Sequence, residues 1–108
     1  MNQALKSPPY YAVIFISTQS ENTLGYSEMA AQMEHLAQQQ AGYLGMGHAR
    51  SAIGITISYW QTEADILNWK ENHEHLKAQH LGKKTWYNSY SIRICKVERE
   101  YHFKRHED

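Results

Sequence analysis

The hydrophobic period changes along the chain, and each change marks a new element. Residues 10–17 (YYAVIFIS) form an almost unbroken apolar run of aromatic and β-branched side chains, the pattern of a central strand buried on both faces. After a polar stretch, Tyr26, Met29, Ala30, Met33, Leu36 and Ala37 recur at helical spacing as far as the glutamines at 38–40. That spacing predicts a helix with one apolar face, stopped by Gly42. Residues 43–50 and 53–60 read as the two strands of a hairpin, with Ser51-Ala52 at its turn and glycines at 45, 47 and 54 allowing bulges.

Thr62-Glu63-Ala64-Asp65 resembles a capping box. A second helix is predicted from there to about Leu81, bent near Asn72 and closed by Gly82. Beyond it, Trp86, Tyr90, Ile92 and Ile94 lie on one set of alternate positions and Tyr87, Arg93, Cys95, Val97 and Tyr101 on the other, which predicts a long last strand.

The order βαββαβ is that of an α+β, ferredoxin-like sandwich whose two helices share one face of the sheet. The other face then needs a cover. A homodimer supplies it, with the open faces meeting in a dimeric α+β barrel and the long last strand reaching into the partner sheet. Residues 1–9, ending in Ser7-Pro8-Pro9, read as a loose leader, residues 10–101 as the domain, and residues 102–108 as a polar tail.

Composition narrows the function classes. A chain of 108 residues holds one hydrophobic core. Its 11 basic and 11 acidic side chains cancel, leaving no net field to gather nucleic acid or a membrane surface. Lys83, Lys84, Arg93, Lys96, Arg99, Lys104 and Arg105 cluster late in the chain, but Glu98, Glu100, Glu107 and Asp108 are interleaved with them. Cys95 is the only cysteine, so no intrachain disulfide forms and no zinc-finger spacing exists. No stretch approaches the roughly twenty apolar residues of a membrane helix, and residues 1–9 lack a signal-peptide core. The expectation is a cytoplasmic protein with no nucleic-acid or membrane partner.

Candidate chemistry concentrates between Trp60 and Tyr87. Ile66, Trp69, His73, Leu76 and His80 step by three and four residues, placing an indole and two imidazoles on one helical stripe. Such a stripe predicts a polar pocket or a packed contact whose ring nitrogens are satisfied. Core packing is the ordinary use of Trp60 and Trp86, and His35, His48, His102 and His106 read as surface. His75 falls on the opposite side of an ideal helix from Ile66. His73 and His80 are about 10 Å apart along the axis, too far to share one metal ion. Cys95 reads as a small packed hydrophobe, and no nucleophilic triad is visible.

Tyr11-Ala12-Val13-Ile14-Phe15-Ile16-Ser17, Gly42-Tyr43-Leu44-Gly45, Ser58-Tyr59-Trp60, Trp69, Glu74-His75-Leu76-Lys77-Ala78-Gln79 and Trp86-Tyr87 together resemble the antibiotic biosynthesis monooxygenase family. The resemblance covers about residues 10–101 and implies a dimeric α+β barrel. It also implies a cofactor-independent monooxygenase that deprotonates, positions and shields a small aromatic phenol or quinol while O₂ reacts with it directly. On that reading Trp69 stacks the substrate and His73 or His75 is the base. Trp60, Tyr59 and Trp86 line the pocket, and Arg50 or Arg93 holds an oxyanion. Within the same superfamily the alternative is a haem-degrading enzyme, in which Trp69 presses on the porphyrin and His80 ligates iron; Gln79 stands where those enzymes carry the axial histidine. A non-catalytic dimer that binds a small ligand is the third reading.

Overall fold

β1 (Tyr10–Gln19) runs through the middle of a four-stranded antiparallel sheet, in the order β2 (Tyr43–Arg50), β3 (Gly54–Trp60), β1, β4 (Tyr87–Val97). The computed structural model describes residues 7–105; residues 1–6 of the expected leader, and His106 with the rest of residues 106–108, lie outside them. The most apolar strand thus receives two neighbours. α1 (Tyr26–Gln38) carries the chain from β1 to β2, while α2 (Glu63–Glu71) and α3 (His73–Leu81) carry it from β3 to β4. Each crossover joins strands that have a third inserted between them, as the predicted ferredoxin-like order requires.

Cross-strand partners share a face of the sheet. Tyr11 pairs with Trp60, and Val13 with Ser58. Tyr43 pairs with Trp60, and Met46 with Ser58. This is the helix-covered face, because Tyr11, Val13, Tyr43 and Met46 pack with Met33 and Leu36 of α1 against Ala37, Trp60, Ile66 and Trp69. The opposite face carries Ile14 paired with Ile57 and Ile16 paired with Ile55, with Arg93 opposite Ile14 and Cys95 opposite Ala12. Among the described residues no helix covers it, and Ile55 is 42% exposed. Burial of β1 on both faces, expected from its apolar run, is met in part: Tyr10, Ala12 and Ser17 are buried, while Tyr11, Val13 and Phe15 on the helix-covered face and Ile14 and Ile16 on the other are half-buried.

Local chemistry sets the second crossover. Thr62 caps α2: its hydroxyl oxygen accepts from the Asp65 amide at 3.1 Å and the hydroxyl donates to Asp65 Oδ2 at 2.8 Å. The Asp65 carboxylate also lies against Gly42, whose φ of 81° falls in the left-handed region and where a Cβ would stand 2.0 Å from Asp65 Oδ2. At Asn72 the predicted bend is a complete break. Its backbone leaves the helical region (φ −58°, ψ 132°), and its Oδ1 accepts from the amides of Glu74 at 3.0 Å and His75 at 3.3 Å. Asparagine competes well for such amides, so one helix becomes two. Gly82 does not end α3 in the expected left-handed conformation. It stays right-handed and opens a single π-helical turn, Gly82–Trp86.

The last strand is also shorter than its sequence pattern. β4 stops at Val97, opposite Tyr10. Beyond it, Glu100 accepts a 2.5 Å hydrogen bond from the Tyr10 hydroxyl, which holds the tail beside the first strand of its own chain. Burial and this carboxylate push the Tyr10 phenol up to about 12.

Candidate functional site

Trp60, at the end of β3, is fully buried. Its Nε1–H donates to Ser58 Oγ at 2.9 Å, and the Tyr43 ring stands edge-on to it at 5.6 Å. Trp69 stacks on it at 6.1 Å between centroids. The break at Asn72 resets the helical phase, and His75, which a continuous helix would turn away, folds back onto Trp69 with centroids 4.1 Å apart and planes 15° apart. His75 Nδ1 lies 3.0 Å from the Trp69 carbonyl oxygen. A carbonyl only accepts, so Nδ1 carries the proton and Nε2 keeps the lone pair. Burial lowers the imidazole pKa, partly opposed by the bond to Trp69. A half-buried, neutral imidazole with a fixed tautomer is suited to accept a proton.

The remaining candidates do not converge there. His73 opens α3 and His80 lies near its end, both exposed. Tyr59 and Arg93 sit on the face away from the helices, through their pairing with Ala12 and Ile14; Tyr59 stacks edge-on with Tyr10 at 5.9 Å. Trp86 is buried, donates from Nε1 to the Leu24 carbonyl at 2.9 Å and meets the Tyr26 ring edge-on at 5.7 Å. Arg50 belongs to this second cluster: its guanidinium lies 5.7 Å from the Tyr26 ring centroid and donates to Ser17 Oγ. Ser17, Tyr26, Tyr87 and Asn72 were not singled out for chemistry by the sequence. Tyr26 carried only the signal of an apolar helix position, and Ser17 acquires its neighbours through strand register.

Among the described residues no three His, Cys, Asp or Glu side chains group as a metal site. A haem does not fit the candidate residues. Trp69 is 8% exposed and His75 lies on its ring, so it has no face to offer a porphyrin, and His80 is an exposed helix residue. A hollow of about 600 Å³ lined by Ser20, Glu21, Asn22, Lys84, Thr85 and Asn88 is open to solvent.

No family model matches the sequence. The uncharacterized protein YqjZ of Bacillus subtilis is 47% identical over 95 residues, spanning 86% of this chain and 83% of its own. The chain belongs to the YqjZ family. Its architecture is that of the antibiotic biosynthesis monooxygenases. SnoaB, a cofactor-independent oxygenase from Streptomyces nogalater, superimposes with a TM-score of 0.74 at 8% identity, over 86% of this chain and 97% of its own. A Nitrosomonas europaea protein described as a candidate antibiotic biosynthesis monooxygenase gives 0.70 at 12% identity, over 85% and 92%. Rv0793 from Mycobacterium tuberculosis gives 0.76 at 8%, over 86% and 99%. Identities this low establish the shared fold and leave activity to the residues of the YqjZ family itself. No helix among the described residues is long and apolar enough to cross a membrane.

Proposed function

We propose that the chain is a cofactor-independent monooxygenase acting on a small aromatic phenol or quinol, with His75 as the base and Trp69 as the ring that holds His75 in place. The carrying observation is the His75 ring laid on Trp69, with Nδ1 tied to the Trp69 carbonyl and the lone pair left on Nε2. SnoaB, of the same fold, is a cofactor-independent oxygenase, which supports the reaction type. His75 takes the phenolic proton, O₂ adds to the electron-rich ring carbon of the resulting anion, the peroxide anion takes that proton back from His75, and the hydroperoxide eliminates water with the hydrogen of the same carbon to leave the quinone carbonyl. Phenol and O₂ become quinone and water, with no external electron donor. The working unit is a cytoplasmic homodimer in which Ile14, Ile16, Ile55 and Ile57 of the uncovered face meet their copies.

The test is oxygen uptake with quinone absorbance over a panel of anthrones and dihydroxynaphthalenes, comparing the wild type with His75→Phe. Phenylalanine keeps a ring against Trp69 and removes the base. The expected result is wild-type turnover of at least one compound and a loss of about a hundredfold or more in kcat for the variant. Equal turnover by His75→Phe, or no uptake across the panel, overturns the proposal.

A further inference from the structure

A second constellation lies on the same sheet face, at the far end from His75. Tyr11 and Ser17 mark the two ends on β1, and six residues of strand span about 20 Å. Across this end the register aligns Tyr90 with Ser17, Ser17 with Gly54 and Gly54 with Arg50. Arg50 sits on an edge strand, yet its side chain crosses β3 to donate to Ser17 Oγ. It can do so because Gly54 has no side chain: a Cβ there would stand 2.0 Å from Arg50 Nη2. The charge is thereby carried from the sheet edge to its centre, beneath Tyr26.

The groups around it are donors. Among the described residues no carboxylate lies within ion-pair distance of Arg50. The Tyr87 hydroxyl donates to the Tyr26 hydroxyl at 3.4 Å, and no described hydrogen bond takes up the protons of Tyr26 or Ser17. Burial, then the bond to Tyr26, push the Tyr87 phenol up, so it stays a neutral donor. Phe15 packs against Tyr87 at 5.4 Å and Tyr90 at 5.2 Å. α1 begins here at Tyr26, after a glycine that supplies no side-chain cap, so the positive end of the helix faces the same region. A surplus of donors and one uncompensated cation, walled by rings, is complementary to a planar anion.

We propose that Arg50, Ser17 and Tyr26 form a binding site for an aromatic carboxylate, with the guanidinium fork on the carboxylate and Phe15 and Tyr90 against the ring. The site is independent of the oxygenase reading, since it uses neither His75 nor Trp69. The test is a titration with 2-naphthoate, followed by isothermal calorimetry and by quenching of tryptophan fluorescence, because Trp86 adjoins Tyr26. The neutral isostere 2-naphthamide serves as the control.

The expected result is saturable binding of 2-naphthoate at least about tenfold tighter than of the amide, as loss of a charge-assisted bidentate pair predicts. Arg50→Met loses the preference. Gly54→Ala loses it as well, although it keeps the charge, because the new methyl denies the guanidinium its place on β3. His75→Phe retains naphthoate binding, so failure of turnover and failure of this site are separately visible. Equal affinity for acid and amide, no naphthoate binding by the wild type, or undiminished binding by a folded Arg50→Met protein overturns the proposal. If either variant fails to fold, the wild-type comparison of acid with amide decides alone.

Discussion

Replacing Trp60 by phenylalanine separates its packing from its hydrogen bond. The indole is fully buried, and its Nε1–H donates to Ser58 Oγ, itself on a buried residue. Phenylalanine lacks three of the buried heavy atoms, worth about 2 kcal/mol at the usual value per buried methylene. It also strands the Ser58 oxygen, at about 1–3 kcal/mol for a buried group left without a partner. The sum is about 3–5 kcal/mol, which for a domain of this size lowers Tm by well over 10 °C. Ser58→Ala alone strands the indole N–H and costs about 1–3 kcal/mol. With both partners removed no polar group is left unpaired, so the double variant is less destabilised than the two single ones together, by about 1–2 kcal/mol of coupling. Urea unfolding of the four proteins at one fixed concentration measures the cycle, the fixed concentration removing any mass-action contribution from assembly. Additivity within about 0.5 kcal/mol, or a Trp60→Phe protein as stable as the wild type, would refute a structural role for the pair and return Trp60 to the substrate-contacting residues.

Two further outcomes follow from the break between α2 and α3 and from the histidine folded over it. Asn72→Ala removes the acceptor of the Glu74 and His75 amides and should destabilise by about 1 kcal/mol, read as a lower urea midpoint at unchanged slope. The folded-state pKa of His75 is depressed, so the unfolded chain binds its proton first on acidification. His75 therefore contributes stability that is present above the ordinary histidine value of about 6.5 and is lost as pH falls toward the lowered folded pKa. Unfolding measured from pH 8 down should show this loss, and His75→Phe should flatten that part of the profile; an unchanged profile in the variant would rule the assignment out.

Most of the fold was legible because it rests on local signals. The apolar run at residues 10–17, the stripe from Tyr26 to Ala37 and the Thr62 cap each specify an element without knowledge of the others. The candidate site was legible only in part. Trp69 and the surroundings of Trp60 were found by composition, but the stripe that ran on to His73 and His80 assumed one uninterrupted helix. A single asparagine side chain, capping two amides, moved His75 into contact with Trp69 and left His73 exposed. The reach of Arg50 across Gly54 was not legible at all, since the two residues are opposed by strand pairing and the third partner, Ser17, comes from a distant strand. The shortened last strand has a similar origin: alternation continues to Tyr101, but pairing ends where β1 begins.

The lone cysteine of the chain is exposed on β4, an edge strand of the sheet, on the face that no described helix covers, opposite Ala12 and one alternate position from Arg93. A single thiol so placed serves as an internal gauge of occupancy for that surface. Its alkylation rate at rising protein concentration traces how often the face is shielded, without a label, a tag or any knowledge of the substrate. The same atom reports whether a ligand at the helix-covered side loosens or tightens what happens on the reverse of the sheet.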